Sequence, residues 1–245
     1  MAREDVARAK PPSPGDRATE ILARLERAIP EARTELDFAT PWQLVVATIL
    51  SAQSTDRVIN RVTPELFRRW PTPADLAAAA GAEVEEVVKT TGFFRNKAKA
   101  IRAAAALLTE RHGGEVPRTI AELIELPGVA RKTANVVLGA AYGVSEGIIV
   151  DTHVGRVARR LELTHEEDPS KVEAELSAQI PRSGWIGAGL RIVLHGRYVC
   201  TARKPSCATC PLNELCPSRE ADPLGPWTDR ADQEHTLTDS KRETA

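Results

Sequence analysis

Along most of this chain apolar residues recur three and four positions apart, the repeat of a helix with one buried face. Arg17 to Ile29 carries Ile21, Leu25 and Ile29 at that spacing, with Leu22 beside them. Trp42 to Gln53 is the most apolar stretch and reads as a helix running through a core. After Asp168-Pro169, Val172, Leu176 and Ile180 share one face. Start signals punctuate these runs. Thr40-Pro41 and Thr72-Pro73 each offer a capping hydroxyl followed by proline at the first helical position, where a missing N–H costs nothing. Thr119-Ile120-Ala121-Glu122 has the capping-box form. Alternating patterns are nearly absent. Gly147-Ile148-Ile149-Val150 could form one short strand, but no second segment offers to pair with it. The expected fold class is all-α.

The most informative stretch reads Leu126-Pro127-Gly128-Val129-Ala130-Arg131-Lys132-Thr133-Ala134-Asn135. It predicts a helix, a tight turn and a second helix over about residues 119–140. Pro127 fixes φ on entry, and Gly128 lets the chain reverse without a Cβ in the way. The turn exposes backbone N–H groups at the start of the second helix. With the helix dipole behind them, they suit a phosphate oxygen. Lys132 falls in the first turn of that helix. Asp151, in Val150-Asp151-Thr152-His153, lies 19 residues further on, just before another helical pattern. In isolation Lys132 reads equally as a phosphate-binding lysine, and Asp151 as a plain N-cap. His153 reads as a residue that supports a neighbour or touches a phosphate.

Composition narrows the class. Hydrophobic residues make up 42% and charged residues 27% of 245, which is an ordinary globular balance with ample material for a core. No apolar run approaches the ~20 residues of a membrane span. Met1 to Asp16 lacks the apolar segment of a signal peptide, so a cytoplasmic location and no membrane partner are expected. Residues 1–16, with Pro11-Pro12-Ser13-Pro14-Gly15, read as a disordered extension, and residues 220–245 as a flexible acidic tail. The net charge is −1, but it is unevenly spread. Residues 221–245 hold six acids and three bases, so the remainder is slightly basic. Arg191, Arg197, Arg203 and Lys204 occur between Trp185 and Ser206 without an acid, and Arg95, Lys97, Lys99 and Arg102 form another cluster. Such local basic faces fit nucleic-acid binding, and equally fit solvated helix faces.

All four cysteines lie within 17 residues: Cys200, Cys207, Cys210 and Cys216, spaced C-x6-C-x2-C-x5-C. A cytosolic chain with no other cysteine has little use for them as disulfides. Four thiolates in one short loop point to a metal centre, and both zinc and an iron–sulfur cluster accept four cysteines. Spacing alone does not separate the two. A short loop with no core of its own would be ordered by such a centre.

Together, the Leu126-Pro127-Gly128 hairpin, Lys132, the Val150-Asp151-Thr152-His153 segment and the cysteine spacing resemble the endonuclease III family of helix-hairpin-helix DNA glycosylases. The resemblance covers roughly residues 17–219. It implies a four-iron four-sulfur cluster on the four cysteines, mainly structural, with Arg203 and Lys204 held out towards the DNA backbone. It implies a six-helix domain over 34–144 and a cluster domain from 17–33 and 145–219, with a cleft between them. It implies catalytic roles for Lys132, six residues after Leu126, and for Asp151. An amine attacking a sugar carbon stays attached as a Schiff base, which makes the neighbouring proton acidic and permits β-elimination. The helix N-terminus and Arg131 supply positive potential beside Lys132. Asp151 would stabilise positive charge developing on the sugar.

A base buried in a duplex must also be flipped out and the gap filled. Ser51-Ala52-Gln53-Ser54-Thr55-Asp56 resembles the family's Ser-Ala-Gln motif, which implies that Gln53 enters the hole. In Gly92-Phe93-Phe94-Arg95-Asn96-Lys97 the family's usual leucine wedge is Phe93, a departure. Ala130 stands where the family usually has the second glycine of the hairpin, which puts binding strength in question if that position needs a positive φ. Leu126, Gly128, Ala130, Arg131 and His153 complete the expected DNA contacts. The expected activity is that of a bifunctional glycosylase and abasic-site lyase, monomeric, acting on damaged pyrimidines in duplex DNA. A monofunctional mismatch glycosylase and a non-catalytic iron–sulfur DNA-binding protein are the alternatives. Lys132 weighs against the first, and the second predicts affinity without a covalent adduct.

Overall fold

The computed structural model describes residues 14–220. Nearly all of the expected N-terminal extension and acidic tail therefore lie outside the described residues. The exception is a correction: Pro14, Gly15 and Asp16 already form the first turn of a helix. Proline is preset for an opening turn, and Asp16 complements the positive helix end.

Eleven α-helices follow among the described residues: α1 Pro14–Ala28, α2 Pro41–Ser51, α3 Asp56–Arg69, α4 Pro73–Ala78, α5 Gly81–Val88, α6 Phe94–His112, α7 Ile120–Leu123, α8 Arg131–Tyr142, α9 Thr152–Arg160, α10 Pro169–Gln179 and α11 Trp185–Tyr198. The starts obey the capping chemistry. Thr40, Thr72, Thr119 and Asp168 each accept a backbone N–H from the first turn of α2, α4, α7 and α10. The Thr72–Asp75 pair forms a full capping box. At Thr119 the Glu122 carboxylate instead takes the threonine hydroxyl, at 2.5 Å. Residues 148–150 form no strand, and none occurs among the described residues, so the fold is all-α.

Two cores form, not one. The first draws on Leu36 through Leu138 and has α2 as its axis: Trp42 and every residue from Leu44 to Leu50 are buried. Five further helices, α3 to α6 and α8, and the single turn α7 surround it. The second joins α1 to α9, α10 and α11, with Ile21, Leu25, Val172, Leu176 and Ile192 fully buried together. Amphipathic α1 can hide its apolar stripe only by reaching across some 160 positions of sequence. Arg191 of α11 fastens its end, donating to Ile29 O at 3.1 Å and pairing with Glu26 at 3.0 Å. The strap between α1 and α2 then runs along the seam between the cores.

Because Leu25 has no exposed surface in the second core, Leu25→Ala should lower unfolding free energy by roughly 2–5 kcal/mol. Denaturant titration measures it; an unchanged midpoint would mean that α1 does not belong to the folded unit.

Candidate active site and iron–sulfur loop

The hairpin is built as a turn with Pro127 at its second position and Gly128 at its third. Gly128 has φ +86, and Val129 N–H closes the turn on Leu126 O at 3.0 Å. Gly128 is required twice over. A Cβ there would sit 3.1 Å from both Ala100 Cβ and Ile49 Cγ2, on α6 and α2. Leu126 is 1% exposed and locked into the first core, which corrects the expectation that it contacts DNA. An apolar side chain here anchors the turn and leaves Gly128 and Ala130 exposed at its surface. Ala130 has φ −87 and ψ 168, an extended geometry that alanine adopts freely. It caps α8 without a side-chain hydrogen bond, so the first N–H groups of α8 face outward.

Lys132 stands in that first turn. Its Nζ lies 3.9 Å from Asp151 Oδ2, across the cleft between the two cores. Asp151 is the N-cap of α9; its Oδ1 accepts Val154 N–H at 2.9 Å. One oxygen is thus committed to the helix and the other faces the amine. The Asp151 side chain is 13% exposed and that of Lys132 54%, so the carboxylate is the fixed partner and the amine the reachable one. A cavity of about 350 Å³ opens beside them, lined also by Gln53, Glu35, Asp56 and Arg197. That is ample for a nucleobase.

Gln53 lies beyond the end of α2, exposed, with φ +54. Ser54 N–H bonds Ser51 O at 2.9 Å, and Ala52 has φ −53 and ψ 117. Gln53 therefore occupies the position of a type II turn where glycine or asparagine is usual. Phe93 is 57% exposed at φ +46, whereas Phe94 packs on the first core. Core packing is thus the role of Phe94, not Phe93.

Three groups in the cavity carried no role in the sequence reading. Arg197 of α11 bonds Glu35 of the strap and Asp56 of α3, the latter at 2.5 Å, and Tyr198 also bonds Glu35. Burial opposes the charge of Arg197, but the bonds and charges of Asp56 and Glu35 outweigh it and raise its pKa. The network ties the Gln53 turn to the second core. Asp56 sat in a recognised motif and Arg197 in a basic run, but Glu35 carried no local signal.

His153 does not line this cavity. Its Nδ1 meets Arg156 Nη2 at 3.1 Å, and its Cβ lies under Gly196 of α11. Burial lowers its pKa, and the half-buried ring lines a second, open groove with Arg57, Arg61 and Tyr198. Arg131 lies 4.0 Å from Glu173 of α10, so the hairpin also touches the second core there. Burial raises the pKa of Glu173 against the pull of Arg131.

Arg203 and Lys204 are exposed on the cysteine loop. None of the four cysteines is in a disulfide, and all line one cavity. Among the described residues no three candidate ligands converge on one point as a single ion requires. Four thiols around one cavity are a donor set that an iron–sulfur cluster takes. Burial raises the Cys210 and Cys216 thiol pKa values, so their thiolates need a positive partner. Polar groups already face the sulfurs: Arg160 Nη1 is 3.0 Å from Cys200 Sγ, and Leu212 N–H 3.4 Å from Cys210 Sγ. His195, 2% exposed with its pKa pushed down to about 4 by burial, lies 3.7 Å from Cys210 Sγ and fills the space behind.

Residues 46–182 match the model of the HhH-GPD superfamily of base excision DNA repair proteins. The chain belongs to that superfamily. Residues 200–216 match the iron–sulfur binding domain of endonuclease III, bounded by the first and last cysteines. That segment, which contains Cys200, Cys207, Cys210 and Cys216, carries a four-iron four-sulfur cluster. Endonuclease III of Synechocystis sp. is 52% identical over 205 residues, 84% of this chain and 94% of that protein. A non-covalent endonuclease III–DNA complex aligns with TM-score 0.80 and 40% identity, over 84% of this chain and 96% of that one. A trapped endonuclease III–DNA covalent intermediate aligns with TM-score 0.78 and 40% identity, over 83% and 97%. The chain is a helical enzyme of base excision DNA repair with an iron–sulfur loop, and no described helix is long and apolar enough to cross a membrane.

Two outcomes test these sites. Asp151→Asn keeps an N-capping side chain and should hold stability within a few tenths of a kcal/mol, whereas Asp151→Ala should cost about 1 kcal/mol; thermal unfolding of both separates capping from any other role. Cys210→Ser should abolish the visible absorbance of the purified protein and expose the 200–216 loop to protease, while the first core keeps its amide protection in hydrogen exchange.

Proposed function

We propose that the protein removes damaged pyrimidines from duplex DNA and then cuts the strand by β-elimination, with Lys132 as nucleophile. The amine would attack C1′ of deoxyribose as the bond to the base breaks, and the base would leave with a proton. The C1′–O4′ bond then opens, O4′ taking the proton the amine gives up, and leaves an iminium at C1′ that acidifies the C2′ proton. Its loss expels the 3′ phosphate, and hydrolysis frees the lysine. The observation that carries this reading is the pairing of a reachable amine with a fixed carboxylate at 3.9 Å beside a base-sized cavity.

Asp151 offers the developing cation its outward-facing Oδ2, while the helix cap holds it still. The uncapped start of α8 offers N–H groups to a phosphate oxygen, and Arg203 and Lys204 offer charge further along the strand. Gln53 and Phe93 project from positive-φ turns and would enter the stack opened by flipping. The cluster supplies the fold of the 200–216 loop, and no step of the reaction passes through it. The relatives named endonuclease III, and the trapped endonuclease III–DNA covalent intermediate, support the same chemistry here.

Incubation with duplex DNA bearing an abasic site, followed by borohydride reduction, should give a trapped protein–DNA adduct. Lys132→Gln should bind the same DNA and form none. Asp151→Asn should slow trapping by roughly 10²–10³-fold. Base release without strand cleavage would point to a monofunctional glycosylase, and tight binding without an adduct to a non-catalytic protein.

A further inference from the structure

Lys97, in the first turn of α6, is 6% exposed. Buried lysines are rare unless something holds the charge. No carboxylate does so here: burial acts alone on its pKa, pushing it down to about 8. Its Nζ has one hydrogen-bond partner, the carbonyl of Thr91, at 2.5 Å. That carbonyl ends the helical path of α5, which a 3-10 turn prolongs over Lys89–Thr91. Terminal carbonyls carry the negative end of the helix dipole and attract a cation. The backbone N–H of Lys97 meanwhile donates to Phe93 O at 3.1 Å. One residue thus bonds both sides of the Gly92-Phe93 turn. Both turn residues have positive φ, +71 and +46, and only the first is glycine.

We propose that Lys97 is a positioning residue for opening the base stack: it clasps Thr91 O and Phe93 O, fixing the turn that holds the Phe93 ring outward. The proposal rests on the reading of Phe93 as the wedge. An apolar side chain at position 97 would avoid burying a cation but leave the Thr91 carbonyl unpaired. The backbone bond from residue 97 to Phe93 O would remain, but the Thr91 side of the turn would lose its anchor and Phe93 its fixed geometry. The basic run of residues 95–102 is accordingly not one DNA-facing patch. Arg95 is exposed, with its guanidinium 5.2 Å from the Phe94 ring centre, while Lys97 turns inward.

The experiment compares Lys97→Met, Phe93→Ala and the double variant by borohydride trapping on abasic sites in duplex and in single-stranded DNA. A single strand has no opposing stack to pry apart. Lys97→Met should trap normally on the single strand but roughly ten- to a hundredfold more slowly on the duplex. The double variant should be no slower than Phe93→Ala alone, because both changes act through one ring. Gly92→Ala, which disturbs the same turn without touching Lys97, should reproduce the duplex-specific loss should Lys97→Met not fold. A duplex rate unchanged in Lys97→Met, equal loss on both substrates, or losses that multiply in the double variant would overturn the proposal. A normal duplex rate in Phe93→Ala would instead overturn the wedge reading itself.

Discussion

The site depends on one short connection, residues 143–150, that hands the chain from one core to the other. Gly143, at φ +67, ends α8, and Val144 N–H closes back on Leu138 O. Ile148 is already buried in the second core. Asp151 then caps α9. The N-termini of α8 and α9 thus project towards one cleft from different cores, each carrying one half of the Lys132–Asp151 pair. A slip of either helix along its axis would break a 3.9 Å approach that no direct backbone bond enforces. Two helix N-termini and an amine make the cleft a positive place in an almost neutral protein.

That positive field is held in check by carboxylates. Asp151 faces Lys132, and Glu35 with Asp56 faces Arg197. The second group draws the strap, α3 and α11 together, so it closes the seam that the first group uses. Its position next to the Gln53 turn means that the residue proposed to fill the DNA gap is tied to the second core. Cluster-loop geometry feeds into the same region through α9. Arg156 bonds Gly196 O and Cys200 O, and Arg160 bonds the carbonyls of Cys200, Thr201 and Ala202. The helix capped by Asp151 is therefore also the one that grips the first cysteine.

Much of this was legible along the chain because it depends on local chemistry. Thr40, Thr72, Thr119 and Asp168 cap helices wherever they meet backbone N–H groups, and Leu126-Pro127-Gly128 turns for reasons contained in three residues. The cysteine spacing pointed to a metal centre, and the family resemblance chose the cluster over zinc. What could not be read is what depends on distant partners. Glu35 has no motif, and its role exists only once α11 lies beside the strap. Lys97 looked like part of a basic face because sequence does not say which side of α6 is covered. Leu126 looked like a contact because it belongs to a motif, but its side chain is taken up by the first core. His153 does support a neighbour, Arg156, as its place beside Asp151 suggested.

Three non-glycine residues have positive φ among those described, and they differ in kind. Glu162 follows the end of α9, where Leu163 N–H reaches back to Ala158 O, a helix-terminating motif in which such a φ is ordinary. Gln53 and Phe93 instead sit in exposed turns where glycine would avoid a penalty of roughly 1–2 kcal/mol. Each is held there by bonds from outside the turn: Asp56 to Arg197 on one side, Lys97 to Thr91 O on the other. Turn formation alone favours the smallest residue, so a long amide and an aromatic ring at these positions answer to something beyond the turn. A surface that must enter a base stack meets that requirement: side chains held outward before DNA arrives lose little further freedom on binding.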